Sequence, residues 1–145
     1  MTIIFTDKVA IVTGAGGGLG KCHALELAAR GARLVVNDIG GSAEGSGHSA
    51  TPAQQVVDEI VAAGGEAIAN YASVSDEQGA ASIVQDAISK WGRVDIVINN
   101  AGILRDKSFS KVSMEDFRTV VDVHLWGSIY VTKAAWPYMI AQQYG

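Results

Sequence analysis

The sequence contains little of what sulfur chemistry, membrane insertion or nucleic-acid binding would require. One cysteine among 145 residues allows neither an internal disulfide nor a zinc site built from several cysteines. No apolar run approaches the ~20 residues of a membrane-spanning helix. Acidic residues outnumber basic residues by 15 to 11, and no run of lysine or arginine occurs. We therefore expect no metal ion, membrane or nucleic acid as a partner, and a reducing compartment such as the cytoplasm.

What the sequence does contain is typical of one folded domain. Apolar residues make up 48% of the chain and charged residues 18%, a composition that favours a globular protein over a disordered one. The length suits a single domain over residues 1–145. No internal repeat or linker divides it.

Apolar runs and amphipathic stretches alternate along the chain. Strands are predicted at 9–13, 34–36, 66–73 and 94–98, and helices at 21–30, 53–63, 75–91 and 113–143. This alternation of four strands with four helices predicts a parallel sheet covered by helices on both faces. Right-handed crossovers give the strand order 3-2-1-4. The fold class is therefore α/β, a Rossmann-like doubly wound sheet.

Three local features of the helices can be predicted as well. Cys22 shares helical spacing with Leu25 and Ala29, which indicates a small core residue and not a reactive thiol. The segment 75–78 has the form of a capping box, so the third helix is expected to begin at its serine. Pro137 is expected to kink the last helix, because proline removes one backbone donor and crowds the preceding turn.

The stretch 13–20, with the sequence TGAGGGLG, lies between the first predicted strand and the first predicted helix. Glycine accepts a positive φ and leaves no side chain between the backbone and a bound group. A helix that begins after such a turn offers phosphate its unpaired N–H groups and positive dipole end. A plain tight turn is the alternative for the glycines alone. As a phosphate-binding loop, the stretch would contact a dinucleotide through Gly14, Gly16, Gly18, Leu19 and Gly20.

Asp38 follows the second predicted strand, eighteen residues after Gly20. In dinucleotide-binding folds, a carboxylate at this place accepts hydrogen bonds from the adenosine ribose, and it would repel a 2′-phosphate. Gly17 supplies no positive charge in compensation. Aspartate at a strand end is also an ordinary turn residue, but next to the glycine loop we interpret Asp38 as a ribose ligand. The sequence thus predicts NAD, and not NADP, as the cofactor.

The segment 39–52 is long for a connection between a strand and a helix. It either covers the adenosine end of a bound cofactor or is a flexible surface insertion, and both interpretations stay open. His48 within it is expected to be exposed to solvent.

Together, the glycine pattern of 13–20, Asp38, and the tetrapeptide NNAG at 99–102 resemble the short-chain dehydrogenases/reductases. By itself the tetrapeptide would indicate only a turn. The resemblance covers the whole chain and implies hydride transfer between NAD and a secondary alcohol or ketone. It implies that Asn100, Ala101 and Gly102 border the cofactor and brace the central strands. Ser73 and Val74 stand where many members contact adenine through an aspartate, so we expect them to contact the cofactor instead.

Five segments extend this resemblance toward one branch of the family. Residues 36–41, 69–71, 99–109, 124–127 and 134–136 look like the (3R)-hydroxyacyl-CoA dehydrogenase units of peroxisomal multifunctional enzymes and their bacterial relatives. The implied substrate is a 3-hydroxyacyl-CoA, and the peroxisomal matrix becomes the alternative compartment. Two other functions stay open. A 3-oxoacyl-carrier-protein reductase has a similar segment but prefers NADPH, which Asp38 disfavours, and a non-catalytic nucleotide-binding module would act by association.

His124 occupies the position where many family members have an asparagine that holds a water molecule in the proton relay. An imidazole can also bind a water or a backbone carbonyl. The resemblance implies that His124 is a catalytic residue. The other interpretation is a histidine that is merely packed in its helix.

The family's catalytic serine, tyrosine and lysine are not recognisable in the sequence. Tyr130 and Lys133 are three residues apart where the family motif requires four, so we interpret both as helix-surface or interface residues. The chain is accordingly expected to be a cofactor-binding half that is truncated before the catalytic half. Its fourth strand would lie at a sheet edge and could pair with another chain. The expected partner is a second copy through the fourth helix, or the missing C-terminal half.

Overall fold

A computed structural model of the chain describes residues 3–41 and 51–145. The predicted position of His48 and most of the loop 39–52 lie outside the described residues. The strands are β1 (Val9–Thr13), β2 (Arg33–Asn37), β3 (Ala67–Asn70) and β4 (Ile96–Ile98). The helices are α1 (Gly18–Ala29), α2 (Thr51–Ala62), α3 (Glu77–Trp91), α4 (Met114–Val121), a π-helical segment (Asp122–Trp126) and α5 (Gly127–Gln142).

The four strands form one parallel sheet with the order β3-β2-β1-β4, which confirms the predicted topology. In the register, Ile11 of β1 lies between Val35 of β2 and Val97 of β4. All five residues of β1 are buried. Such a strand has no polar alternation because helices cover both faces of the sheet. Strand β4 lies at the edge, as predicted.

Each face of the sheet has its own apolar core. On one face, alternate residues of β1 such as Ile11 pack with α3 and α5, which contribute to this core the buried side chains of Ala80, Ile83, Val84, Ala87, Val131 and Ala135. On the other face, residues such as Val12 pack with α1 and α2, whose buried residues include Ala24, Ala53, Val56, Val57 and Ile60. The two cores cover both faces of the sheet. The carboxyl ends of the strands lie outside these cores and are available for a binding site.

The start of α3 differs from the predicted capping box. Asp76 is the N-cap, and its Oδ2 accepts a hydrogen bond of 2.6 Å from the N–H of Gly79. The Ser75 hydroxyl instead lies 2.9 Å from the hydroxyl of Ser73. A carboxylate is favoured at this position because it also interacts with the positive end of the helix dipole. The helix ends as predicted at Gly92, which has φ +74°.

Replacing Asp76 by alanine is expected to lower the free energy of unfolding by about 1 kcal/mol, because an N–H of the first turn loses its acceptor. Ser75→Ala is the matched control and is expected to cost less than about half of that. Urea denaturation followed by circular dichroism measures both. If the two variants lost equal free energies of unfolding, the assignment of Asp76 as the N-cap would be contradicted.

The prediction that Cys22 is a core residue is wrong, because its side chain is exposed. The buried residues of α1 are Gly20 and Ala24. Apolar residues recur at helical spacing on more than one side of this helix, so the periodicity did not decide which side faces the sheet. Small residues face inward because the start of α1 passes close to the preceding turn.

The last predicted helix is one helical run with an internal irregularity. Ser113 caps its start by accepting a hydrogen bond of 3.0 Å from the N–H of Asp116. The run then passes from α4 through the π-helical segment into α5, which continues past Pro137 to Gln142. The sequence did not predict the wider π turn, since one extra residue in a turn leaves no clear mark on the apolar periodicity. Such turns are frequent at functional sites.

Asp95, directly before β4, is a buried charge with several partners. Its carboxylate accepts hydrogen bonds from the N–H of Val9 at 2.9 Å and from the guanidinium of Arg93 at 2.6 and 2.8 Å. The ammonium of Lys8 lies 3.8 Å away. Burial by itself would raise the pKa of Asp95, but the hydrogen bonds from Arg93 and Val9 outweigh it and hold the pKa below its ordinary value of 3.8.

Because the pKa of Asp95 is lower in the folded state than in the unfolded state, the unfolded chain binds more protons in acid. This carboxylate therefore contributes stability that is complete above about pH 4 and is lost as the pH falls through the folded-state pKa. Asp95→Asn is expected to cost roughly 2 kcal/mol at neutral pH and to flatten the loss of stability in acid. Asp58→Asn, at an exposed position, is the control. Unfolding free energies measured from about pH 3 to pH 7 test this, and an unchanged acid slope in Asp95→Asn would contradict it.

Candidate functional site

A cavity of about 730 Å³ opens at the carboxyl ends of the strands. It is bordered by the turn after β1 and by the segments that follow β2, β3 and β4. The predicted site residues among its lining are Gly14, Gly16, Gly18, Asp38, Ser73, Val74, Asn100, Ala101 and Gly102. The carboxyl edge of a parallel sheet, where the strand order reverses, is the usual place for a ligand in this class of fold.

The turn after β1 is shaped by glycine. Gly14 and Gly18 have φ values of +62° and +52°, in the region that L side chains rarely adopt. A Cβ at Gly14 would also lie 2.8 Å from the Cα of Ala101. The turn therefore brings bare backbone to the cavity and presses it against the segment that follows β4.

Helix α1 begins at this turn, and no side chain within residues 3–41 or 51–145 caps its first N–H groups. Its N-cap is Gly17, which has no side chain to cap the helix, and its first turn contains no acidic residue. Gly17 and Gly18 both line the cavity. Unpaired N–H groups and the positive end of the helix dipole suit this corner to a phosphate group.

The carboxylate of Asp38 lies in the cavity and is fixed by two backbone donors. Its Oδ2 accepts a hydrogen bond of 2.8 Å from the N–H of Gly16, and its Oδ1 accepts one of 2.7 Å from the N–H of Gly40. A carboxylate oxygen can accept about two hydrogen bonds, and from the described residues each of these two oxygens receives one. The arrangement can bind two vicinal hydroxyl groups, and its negative charge opposes an anion.

Asn100 and Thr13 connect the glycine turn to the end of β4. The amide of Asn100 donates hydrogen bonds of 3.0 Å to the carbonyl oxygens of Thr13 and Gly14. The hydroxyl of Thr13 accepts from the N–H groups of Asn100 and Ala101 at 3.1 and 3.0 Å. These four bonds hold the two segments together beneath the cavity. No such role was predicted for Thr13, although a threonine at the end of a buried strand was visible in the sequence.

A buried amide network positions the segment that follows β3. The side chain of Asn37 donates to Asn70 Oδ1 and to the carbonyl of Ala72, both at 2.9 Å. Asn70 in turn donates to Asp86 on α3 at 2.7 Å. Ala72, Ser73 and Val74 are thereby held as one wall of the cavity. Asn37 and Asn70 were not predicted as site residues, although a polar residue at the end of each strand was visible.

His124 lies on the π-helical segment, beside the end of β4. A Cβ at Gly102 would come within 2.6 Å of its Cε1, so the imidazole packs directly against that glycine. Its Nε2 is 2.9 Å from the carbonyl oxygen and 3.0 Å from the N–H of Ile103. Nε2 donates in one tautomer and accepts in the other, so only one contact is a hydrogen bond at a time. The ring borders a second cavity of about 360 Å³, which adjoins the first at Ile103.

Two predicted cofactor residues do not line the cavity. Leu19 is 73% exposed and lies outside the cavity lining. Gly20 lies behind the turn, where a Cβ would overlap the carbonyl oxygen of Gly14. Residues that line the cavity but were not predicted include Pro52, Ile103, Thr119 and Val123.

Among residues 3–41 and 51–145, no group of three or more histidine, cysteine, aspartate or glutamate side chains could hold a metal ion. In the same two ranges, no helix is both long and apolar enough to cross a membrane.

The family model described as short chain dehydrogenase matches residues 8–145. The chain belongs to this family. It is 55% identical over 141 residues to the peroxisomal hydratase-dehydrogenase-epimerase of Saccharomyces cerevisiae, covering 97% of this chain and 15% of that protein. It is also 55% identical over 141 residues to peroxisomal multifunctional enzyme type 2 of Drosophila melanogaster, covering 97% of this chain and 23% of that protein. These relatives confirm the predicted resemblance to the dehydrogenase units of peroxisomal multifunctional enzymes.

Two further comparisons bear on the fold and on the alternative function. A 7α-hydroxysteroid dehydrogenase structure, complexed with NADH and 7-oxo glycochenodeoxycholic acid, matches with a TM-score of 0.86 and 37% identity, covering 96% of this chain and 51% of that one. It confirms the short-chain dehydrogenase fold. A 3-oxoacyl-[acyl-carrier-protein] reductase of Synechocystis is a more distant relative, 41% identical over 140 residues, or 97% of this chain and 53% of that protein. The chain thus spans between about a seventh and a half of these proteins.

Proposed function

We propose that this short-chain dehydrogenase chain is the NAD-binding part of a dehydrogenase that oxidises a (3R)-3-hydroxyacyl-CoA. The observation that carries the proposal is the Asp38 carboxylate, held in the cavity by Gly16 and Gly40 beside the bare backbone of the glycine turn. The branch of the family is supported by the 55% identity to two peroxisomal enzymes, one of them named as a dehydrogenase.

The residues around the cavity fit each part of a dinucleotide. The turn from Gly14 to Gly18 and the start of α1 would hold the diphosphate, and Asp38 would accept from the adenosine ribose. The wall at Ser73 and Val74 would contact the adenine. The surface formed by Asn100, Ala101 and Gly102 would border the nicotinamide, which when bound supplies the hydride acceptor. The NADH complex of the related 7α-hydroxysteroid dehydrogenase supports a nicotinamide cofactor, and the charge of Asp38 supports NAD over NADP.

His124 is proposed to act in proton transfer at the nicotinamide end. Its contact with Gly102 and Ile103 supports this placement. Since Nε2 already faces the backbone of Ile103, Nδ1 is the ring nitrogen left to bind a water molecule. His124→Ala is expected to lower turnover of a complete enzyme more than it lowers NAD affinity.

Two alternatives are separated by the cofactor and by turnover. A 3-oxoacyl-carrier-protein reductase that uses NADPH is supported by the Synechocystis relative but disfavoured by the Asp38 charge. A non-catalytic nucleotide-binding module would bind the cofactor in the same cavity and would act by association with another protein. That alternative predicts cofactor binding without turnover, whatever residues follow the chain.

For partners, we propose a second copy of the chain or a C-terminal catalytic half that covers the edge of β4 and the outer face of the last helical run. The support is a set of exposed apolar side chains on that run: Leu125, Trp126, Ile129, Trp136 and Ile140. Exposed apolar patches of this kind mark interaction surfaces. For the compartment, the peroxisomal names of the relatives support the peroxisomal matrix, while the cytoplasm stays a prediction.

A chimera tests the proposed reaction. This chain replaces the matching segment of the Drosophila relative, and NADH formation is measured with (3R)- and (3S)-3-hydroxyacyl-CoA. The chimera is expected to oxidise the (3R) substrate with NAD, and the isolated 145-residue chain is expected to bind NAD without turnover. Asp38→Ala in the chimera is expected to abolish most NAD-dependent activity, while Asp58→Ala, at an exposed position on α2, leaves it unchanged. A folded chimera that binds NAD but oxidises neither substrate, beside an active parent enzyme, would favour the non-catalytic module.

A further inference from the structure

We propose that Gly16 sets the discrimination between NAD and NADP by holding the Asp38 carboxylate in place and leaving the space in which it stands. This inference rests on the proposed use of NAD. Gly16 would act through Asp38, because the absence of a side chain at residue 16 leaves room for the carboxylate. It is therefore a positioning residue, and its effect is measured as the ratio of the affinities for NAD and NADP.

The space around Gly16 is already filled by Asp38 and Pro52. A Cβ at residue 16 would lie 2.8 Å from Asp38 Cγ, 2.9 Å from Asp38 Oδ2 and 2.7 Å from the Cβ of Pro52. No positive φ requires glycine at residue 16, in contrast to Gly14 and Gly18. Contact, and not backbone conformation, therefore requires glycine here.

The hydrogen bond from the Gly16 N–H to Asp38 Oδ2, 2.8 Å long, ties the carboxylate to the phosphate-binding turn. With the second bond from Gly40, it leaves the carboxylate one orientation, facing the cavity. The ribose hydroxyls of NAD can donate to a carboxylate held in this way. A 2′-phosphate has no hydrogen to donate when ionised, and would meet the same negative charge.

Pro52 closes this corner from the first turn of α2. Proline has no backbone N–H, so at this position the helix offers no donor to an anion beside the ribose. Among the described residues that line the cavity, none is lysine, arginine or histidine, so no cation there compensates for Asp38. The Asp38 carboxylate held at Gly16 therefore opposes a 2′-phosphate, and neither Pro52 nor the other described lining residues offer a cation in compensation.

The test compares Gly16→Ala with an alanine substitution outside the cavity. In the 145-residue chain, Gly16→Ala should displace the carboxylate, weaken NAD binding about tenfold and leave NADP binding nearly unchanged. The preference for NAD over NADP should therefore fall by about tenfold. Asp58→Ala, an exposed substitution on α2 outside the cavity lining, is the control, and its affinities for both cofactors should stay within about twofold of the wild type. Dissociation constants come from isothermal titration calorimetry, with circular dichroism to confirm folding.

A double-mutant cycle tests whether Gly16 acts through Asp38. In an Asp38→Ala background the carboxylate that alanine would displace is absent, so adding Gly16→Ala should leave the preference between the cofactors unchanged. A further tenfold change in that background would show that Gly16 acts independently, and would overturn the inference.

Hydrogen exchange tests the same link without changing Gly16. The Gly16 amide should exchange slowly in the wild type and faster in Asp38→Ala. The Ala15 amide, which donates to the carbonyl of Asn37 at 2.9 Å, should stay protected in both and report an intact fold. Equal exchange of the Gly16 amide in both proteins would overturn the inference even if Gly16→Ala does not fold.

A wild type that binds neither cofactor counts against the proposed function, whereas a selective wild type with an unchanged preference in Gly16→Ala counts against this inference alone.

Discussion

Replacing Gly20 by alanine is expected to lower the free energy of unfolding by about 3 kcal/mol. The added Cβ would overlap the Gly14 carbonyl oxygen, and would lie 2.5 Å from Asn100 Nδ2 and 2.9 Å from the Cα of Ala15. Two of these three neighbours are backbone atoms that cannot rotate away. Alanine is the better helix former by about 1 kcal/mol, but the overlap exceeds that gain because the turn, α1 and the end of β4 would have to separate.

Gly17→Ala is the control, because it adds the same methyl group where no atom of the described residues lies within 4 Å. Its expected cost is within about 1 kcal/mol, the difference between glycine and alanine at an N-cap. Urea denaturation of the three proteins gives the comparison. If Gly20→Ala were as stable as Gly17→Ala, the close packing of α1 against the turn would be wrong.

Replacing Asp38 by alanine is expected to weaken NAD binding by roughly 30- to 100-fold. The variant loses a charged acceptor for the ribose hydroxyls and releases the N–H groups of Gly16 and Gly40. NADP binding should become tighter, since the carboxylate that repels the 2′-phosphate is gone. The preference between the cofactors therefore falls by more than NAD affinity does.

Isothermal titration with both cofactors measures this effect, and Asp58→Ala on α2 is the control at an exposed aspartate. The control is expected to bind both cofactors as the wild type does. If Asp38→Ala kept the wild-type affinity for NAD, the assignment of this carboxylate to the ribose would fail.

Much of the fold could be predicted because local sequence patterns determine the structure of the segments concerned. The buried strand at 9–13 has no polar alternation, and the glycines after it permit only a turn, so strand, turn and helix could be placed together. The position of Asp38 then followed from topology, because the ends of neighbouring parallel strands meet at one edge. Alternation of strands and helices predicted the parallel sheet, and the Rossmann-like fold class then gave the strand order.

The features that were missed depend on contacts between distant segments. Cys22 was placed in the core because α1 has apolar residues on more than one side, and only the packing of Gly20 against the turn shows which side faces inward. The contact of Pro52 with Gly16 joins residues separated by a long loop. The bonds of Thr13 to the segment after β4 span more than 80 positions. No local pattern in the sequence reports such contacts.

The most direct test of the account is equilibrium dialysis of the wild-type chain against NAD and NADP under identical conditions. With the Asp38 carboxylate fixed in the cavity and no cation among the described lining residues, NAD should bind at least about tenfold more tightly than NADP. Equal binding, tighter binding of NADP, or binding of neither cofactor would contradict the assignment of this cavity to NAD.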